Sequence, residues 1–383
     1  MRTATVAALL ALALALLPPA AYAASGTTSY RGNPAHDGHA AGADPPARAK
    51  LRWSYRLPPY AQPPLAVGNR VFVATHRYAD GDPPSRITAI DARSGRRLWE
   101  RSVSRSHASI AYDSGRILAL DESITAFAFD PRSGRRLWRR RLPNHPLSTS
   151  RLRSGSIPVA ARGLVHFSVY SGVQSYYMIT LDARTGATRW IESTPFSDGP
   201  PTVAGGRVFH SGSCEDANAR VAATGELKWW RGAACGAGGG FPVAYRDSVF
   251  VSSGAAQRTR LDAETGEARD VWSSHGAPVL AGNTGVFGTP EGSWRAVDMP
   301  TGRTLWTRGR ALGIDDVLIA GSTVVVADGK GRLDALELAT GRRRWRLAVP
   351  ERAGPEPRVP WLAASGRHVV VVVGRWAFGY GPS

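Results

Sequence analysis

Seven times along this chain a short polar turn closes on a glycine, and a tryptophan follows on the returning segment. The clearest copy is Ile87 to Glu100, ITAIDARSGRRLWE. ITAI alternates at period two, as a half-buried strand does. Asp91 is placed to bond the backbone N–H groups of the turn, and Gly95 supplies the φ > 0 position that closes a tight hairpin. RRLW then returns as a second strand carrying Trp99. The turn glycines are Gly95, Gly134, Gly186, Gly225, Gly266, Gly302 and Gly341, spaced by 39, 52, 39, 41, 36 and 39 residues. A period near forty built from strands predicts a β-propeller with one four-stranded antiparallel sheet per blade. A helical array would need long runs of 3.6 periodicity, and the chain after its apolar leader has none.

Two segments lack a partner in this repeat. LRWSYRL supplies Trp53 on a strand with no blade before it, and WLAASGRHVVVVVGRWAFGYG offers three strands with no hairpin after them. Joined, they complete one more blade and close the ring, leaving no exposed sheet edge at the seam. The expected fold is therefore all-β, an eight-bladed propeller over residues 49–383 whose N-terminal strand pairs with the C-terminal blade. Residues 24–48 form a lead-in, whose core SYRGNPAHDG is polar, Gly/Pro-punctuated and without periodicity.

Residues 1–23 read as a cleaved signal peptide: one arginine, an apolar run from Val6 to Leu17, and Ala21-Tyr22-Ala23 as a small-x-small cleavage site. No cysteine follows that site, so the mature chain is expected in the extracellular space or cell envelope without a lipid anchor and without a transmembrane span. The oxidising compartment predicts a disulfide between the two cysteines, Cys214 in SGSCEDANA and Cys235 in GAACGAGGG. The formal charge of +18 is almost wholly arginine, with lysine only at positions 50, 228 and 330. Many arginines share the tryptophan strands, where charge on an outer edge blocks edge-to-edge association and favours a monomer. A specific site for an anionic cell-wall polymer is the second reading of this charge; nucleic acid is not expected.

The repeat A-x-D-A-x-T-G-x-x-x-W and the lead-in RGNPAHDG resemble the pyrroloquinoline-quinone-type (PQQ-like) propeller repeats, over about Ser29 to Ser383. That family includes quinoprotein alcohol dehydrogenases, the bacterial outer-membrane assembly lipoprotein and exported proteins without catalysis. The resemblance implies that the repeated tryptophans dock neighbouring blades: Trp53, Trp99, Trp138, Trp190, Trp229, Trp306 and Trp345, with Trp272 displaced by two residues. It also implies what a quinoprotein enzyme would carry, namely a vicinal Cys–Cys disulfide, a calcium held by acidic and amide side chains, and a catalytic aspartate. None of these maps onto this chain. No catalytic, cofactor-binding or metal residue is assigned, and no cofactor is expected.

Other chemistries lack their signatures as well. There is no G-x-S-x-G, H-E-x-x-H, C-x-x-C or Walker motif, and the glycine-rich run GAACGAGGGF has no Lys-Ser/Thr after it. Asp315-Asp316 and Glu215-Asp216 read as solvated loop carboxylates. In a four-stranded meander the glycine turns share one face with compact partners such as VAGGRV, whereas long loops of variable sequence share the other. Candidate binding residues on that variable face are Tyr60, Gln62, His76, Arg77, Tyr78, His107, Tyr170, Tyr176, Tyr177 and His275. The expected function is a non-catalytic binding or assembly scaffold for an envelope or extracellular protein or a cell-wall polymer. The alternative is a quinone-dependent oxidoreductase of reduced form.

Overall fold

The strands lie in eight antiparallel sheets arranged as a propeller ring in a computed structural model. The structure describes residues 25–76, 82–104, 107–142, 153–154, 156–171, 175–194, 199–212, 216–232, 240–254, 257–274, 276–308, 316–328, 331–350 and 360–383. Blade 1 runs outward through Leu65–Val67, Arg70–Ala74, Ser85–Asp91 and Arg97–Ser104. The innermost strands of blades 2 to 7 are Ala108–Asp113, Val159–Ala161, Thr202–Ala204, Val243–Tyr245, Val279–Ala281 and Asp316–Ala320. Blade 8 is built from Trp361–Ser365, His368–Val373 and Trp376–Pro382, and its outer strand is Ala49–Arg56 from the other end of the chain. That seam pairs Trp53 with Gly379 and Tyr55 with Ala377, so Ala49–Arg56 and the three C-terminal strands share one sheet.

Local chemistry sets each outer hairpin. Asp91 Oδ1 accepts from the N–H groups of Arg93 (3.1 Å) and Ser94 (2.8 Å), and Gly95 turns at φ 72°. Asp130, Asp182 and Asp262 repeat the arrangement with Ser133, Thr185 and Thr265. A register shift follows the turn, as between Ala89 and Ile90, and rotates the tryptophan toward the neighbouring blade. The indole N–H then donates to a carbonyl on the next turn: Trp53 to Ala92, Trp99 to Pro131, Trp138 to Ala183, Trp190 to Ala222, Trp229 to Ala263 and Trp306 to Leu338, at 2.8–3.1 Å. Blade 8 has no such turn, and Pro46 of the lead-in supplies the acceptor for Trp345 at 3.0 Å.

Trp272 departs from this pattern. Asp270 occupies the docking position opposite Arg260, and Trp272 Nε1 donates to Asp270 at 2.7 Å. The displaced ring stacks on Phe287 of blade 6, centroids 5.0 Å apart and planes at 14°. The two additional residues in GEARDVW carry the indole past the turn, so it still packs between blades but without the carbonyl bond. The turn glycine it would have met, Gly302, has nothing within 4 Å of an added Cβ, whereas a Cβ at Gly341 would meet Trp306 at 2.7 Å.

The lead-in is part of the core. Innermost propeller strands present one unpaired edge to the axis, and buried backbone groups there need partners. Residues 26–44 supply them. Gly26–Thr27 pairs with blade 1, and the carbonyl of Thr28 takes the Tyr112 N–H of blade 2. Carbonyls of Pro34, Ala35, Asp37 and Gly38 accept from Val203, Ala244, Leu280 and Ile319 of blades 4 to 7. Asp44 N–H donates to Gly366 of blade 8. Thr27, Ser29, His36, Ala40 and Ala43 are buried accordingly. The absence of periodicity now has a cause: this segment follows the inside of the ring, so successive residues meet different blades and share no common face.

Candidate functional site

The lead-in reverses at Ser29–Gly32, where Thr28 N–H donates to the Gly32 carbonyl at 2.8 Å and Arg31 sits at φ 54°. Tyr30 and Arg31 form the tip of that turn. Around them lie Phe241, Asp316 and Trp361, which precede or begin the innermost strands of blades 5, 7 and 8. Those strand ends receive the connections from the preceding blade's outer strand, so the tip is presented at the axial mouth of the variable face. Each of these side chains, with Arg258, is half-buried.

The mouth is aromatic and cationic. Tyr30 meets Phe241, His36 and Trp361 edge-on, at centroid distances of 5.3, 5.7 and 5.9 Å. The Arg31 guanidinium lies 5.5 Å from the Phe241 centroid and donates to the carbonyls of Ala277 (3.0 Å) and Pro278 (3.2 Å). Arg258 donates to Ser252 Oγ at 2.8 Å. Burial, and then the neighbouring Arg31, weaken Arg258's hold on its proton relative to an ordinary arginine. A desolvated guanidinium with a second one beside it favours an incoming anion.

The titration of the surrounding groups follows from depth. Burial pushes Asp316 up to about 6, opposed by the Arg31 charge and by the N–H groups of Leu362 and Val317 that it accepts at 2.7 and 3.0 Å. Burial likewise pushes Tyr30 up to about 12 and Asp37 up to about 6. His36, fully buried and 3.0 Å from Thr202 Oγ1 through Nδ1, is held down to about 3 by burial and then by Arg31. It is therefore a neutral imidazole at neutral pH. Asp316 is thus a half-buried, desolvated strand-end carboxyl, where the sequence reads a solvated loop.

Several sequence-selected residues of the variable face converge between blades 1, 2 and 3. His76 N–H donates to the Tyr60 carbonyl at 3.0 Å, and Gln62 Nε2 reaches the same carbonyl at 3.4 Å. His76 and His107 bring their Nδ1 atoms to 2.9 Å. Beside them is a cleft of about 210 Å³ to which Tyr170 also contributes. Tyr176 stands opposite Tyr170 on the adjacent strand, rings 6.5 Å apart. Tyr177 is different. Strand alternation turns it inward, where it is buried with Phe167, Val169 and Ile179. It is a core residue and leaves the candidate binding set. Arg77, Tyr78, His275, Cys214 and Cys235 lie outside the described residues.

A closed ring of eight four-stranded blades, docked through indole-to-carbonyl bonds at glycine turns, defines a PQQ-like β-propeller. The family profile described as outer membrane protein assembly factor BamB matches residues 45–229, 177–307 and 216–359, overlapping spans that cover most of the chain. The chain belongs to this family. No curated protein matches it. Among solved structures it is similar to quinohemoprotein alcohol dehydrogenase from Comamonas testosteroni, with a TM-score of 0.70, 14% identity, and 94% of this chain and 81% of that one covered. A europium-containing methanol dehydrogenase gives 0.69, 12%, 94% and 98% in the same order. BamB from Moraxella catarrhalis gives 0.62, 17%, 88% and 98%. At these identities the likeness is one of fold.

The two cysteines are not adjacent in sequence, and among the described residues no three His, Cys, Asp or Glu side chains come together as a metal cage. Asp316, a carboxyl beside the axial turn, is engaged by two backbone N–H groups.

Proposed function

We propose that this protein is an exported, non-catalytic binding scaffold that receives an acidic partner, an envelope protein or cell-wall polymer, on the variable face of its propeller. The observation that carries this reading is the axial mouth: Arg31 and Arg258 set together among Tyr30, Phe241 and Trp361, on the face where the long connections gather. Aromatic side chains beside arginine are a favoured composition for contacts that carry binding energy. The lead-in's backbone bonds to the inner strands support a scaffold role further, since they place the protein's own chain along the axis.

A photocrosslinking amino acid at Tyr60, on the rim of this face, tests the proposal against the same probe at Arg184 on a compact turn. In cells, the Tyr60 probe is expected to trap a discrete partner, and Arg31→Gln is expected to weaken that adduct. Adducts formed at Arg184 alone, or none at either position, would overturn the reading.

A further inference from the structure

Among the described residues, the cleft shared by blades 1, 2 and 3 has a sign opposite to that of the molecule as a whole. In a chain of formal charge +18, the charged groups that line it among the described residues are the carboxylates Asp121 and Glu122. Its remaining polar lining comes from Ser109, Ser156, Tyr170 and the imidazole pair His76 and His107. A carboxylate-lined hollow beside two convergent imidazoles is a place for a cation. We propose that His76 and His107 bind one copper(II)-class transition-metal ion through their Nδ1 atoms, with water or cleft oxygens completing the coordination.

The backbone fixes both ligands. His76 follows the second strand of blade 1 and is pinned through its N–H to the Tyr60 carbonyl at 3.0 Å. His107 precedes the innermost strand of blade 2, and its carbonyl accepts the Glu122 N–H at 3.0 Å. The rings stand with centroids 4.6 Å apart and planes at 61°, and with Nδ1 atoms 2.9 Å apart. Imidazole nitrogen selects copper, nickel and zinc over calcium or magnesium. With metal–nitrogen bonds of about 2.0–2.1 Å, that separation subtends roughly a right angle at the ion. A right angle is the cis arrangement of a tetragonal copper(II) centre; a tetrahedral zinc ion would hold the nitrogens about 3.3 Å apart. Protons also balance. One ring now donates Nδ1–H to the other, and moving that proton to Nε2 frees both lone pairs without releasing it.

This site stands apart from the axial mouth, and its test is independent of the partner proposed there. Copper(II) is titrated into the purified, tag-free chain against a weak chelating buffer, with electron paramagnetic resonance recorded at one equivalent. The expected result is saturation at one ion, with hyperfine coupling from two imidazole nitrogens. His76→Gln and His107→Gln are each expected to weaken binding by more than about tenfold, while His368→Gln leaves it unchanged. The wild-type spectrum stands whether or not a variant folds. Binding no tighter than that of the His76/His107 double variant, or a spectrum without imidazole coupling, would overturn the proposal.

Discussion

At the residue scale, Gly341 and Gly302 isolate what blade docking contributes. Both sit at φ near 70°, 68° and 73°, so alanine is strained equally at either. Only at Gly341 does the new methyl meet a docked indole, that of Trp306. Gly341→Ala is therefore expected to destabilise by about 1–3 kcal/mol more than Gly302→Ala, as chemical denaturation would show; equal losses would contradict the docking account. His36 gives a pH signature. Its folded-state value, about 3, lies below the unfolded 6.5, so its contribution is complete above pH 6.5 and is lost as the pH falls from there toward 3. Asp37 and Asp316, raised to about 6, act in the opposite sense: their contribution is complete below about pH 4 and is lost as the pH rises through 6. His36→Asn keeps a residue tolerant of its φ of 55° and removes only the imidazole term. Between pH 7.5 and pH 5 the wild type should lose about 2 kcal/mol relative to this variant. Parallel stability curves would place His36 elsewhere than in a dry core.

At the element scale, the sequence and the structure agree where a local rule acts and part where a distant partner decides. The hairpins are legible because Asp91 and Gly95 act within a few residues of each other, and ring closure is legible because Trp53 and the three C-terminal strands are each incomplete alone. Trp272 shows the limit. Its two-residue displacement is visible in the sequence, but its stacking on Phe287 depends on the next blade. The lead-in shows a deeper limit, because Pro34, Ala35, Asp37 and Gly38 of SYRGNPAHDG each meet a different blade, so the segment carries no period to read. The sequence clue that survives is its inventory, a tyrosine, an arginine, a histidine and an aspartate among glycines and a proline. A chain lacking residues 26–44 would leave inner-strand N–H groups of several blades without their carbonyls. It is expected to lose cooperative thermal unfolding or to aggregate; a melting curve like that of the full chain would contradict the role given to this element.

At the scale of the whole molecule, one face is chemically uniform and the other is not. The glycine turns repeat one another around the ring, and arginines such as Arg96, Arg97, Arg135, Arg136, Arg342 and Arg343 stay exposed beside them. The opposite face gathers the aromatic and guanidinium groups at the axis and the histidine pair at the rim. Variable loops pointed to that face from sequence, and the described part of the candidate set, apart from Tyr177, falls on it. The residues at its centre were not legible, because Arg31 and Arg258 are 227 positions apart in sequence and meet only once the ring has closed. The central proposal is that this axis, lined by the protein's own lead-in, serves a binding partner and not a redox quinone. Titrating the purified chain with pyrroloquinoline quinone and calcium, while following quinone absorbance and alcohol-dependent dye reduction, tests it most directly. No saturable binding and no dye reduction are expected; stoichiometric quinone binding coupled to alcohol oxidation would contradict the account.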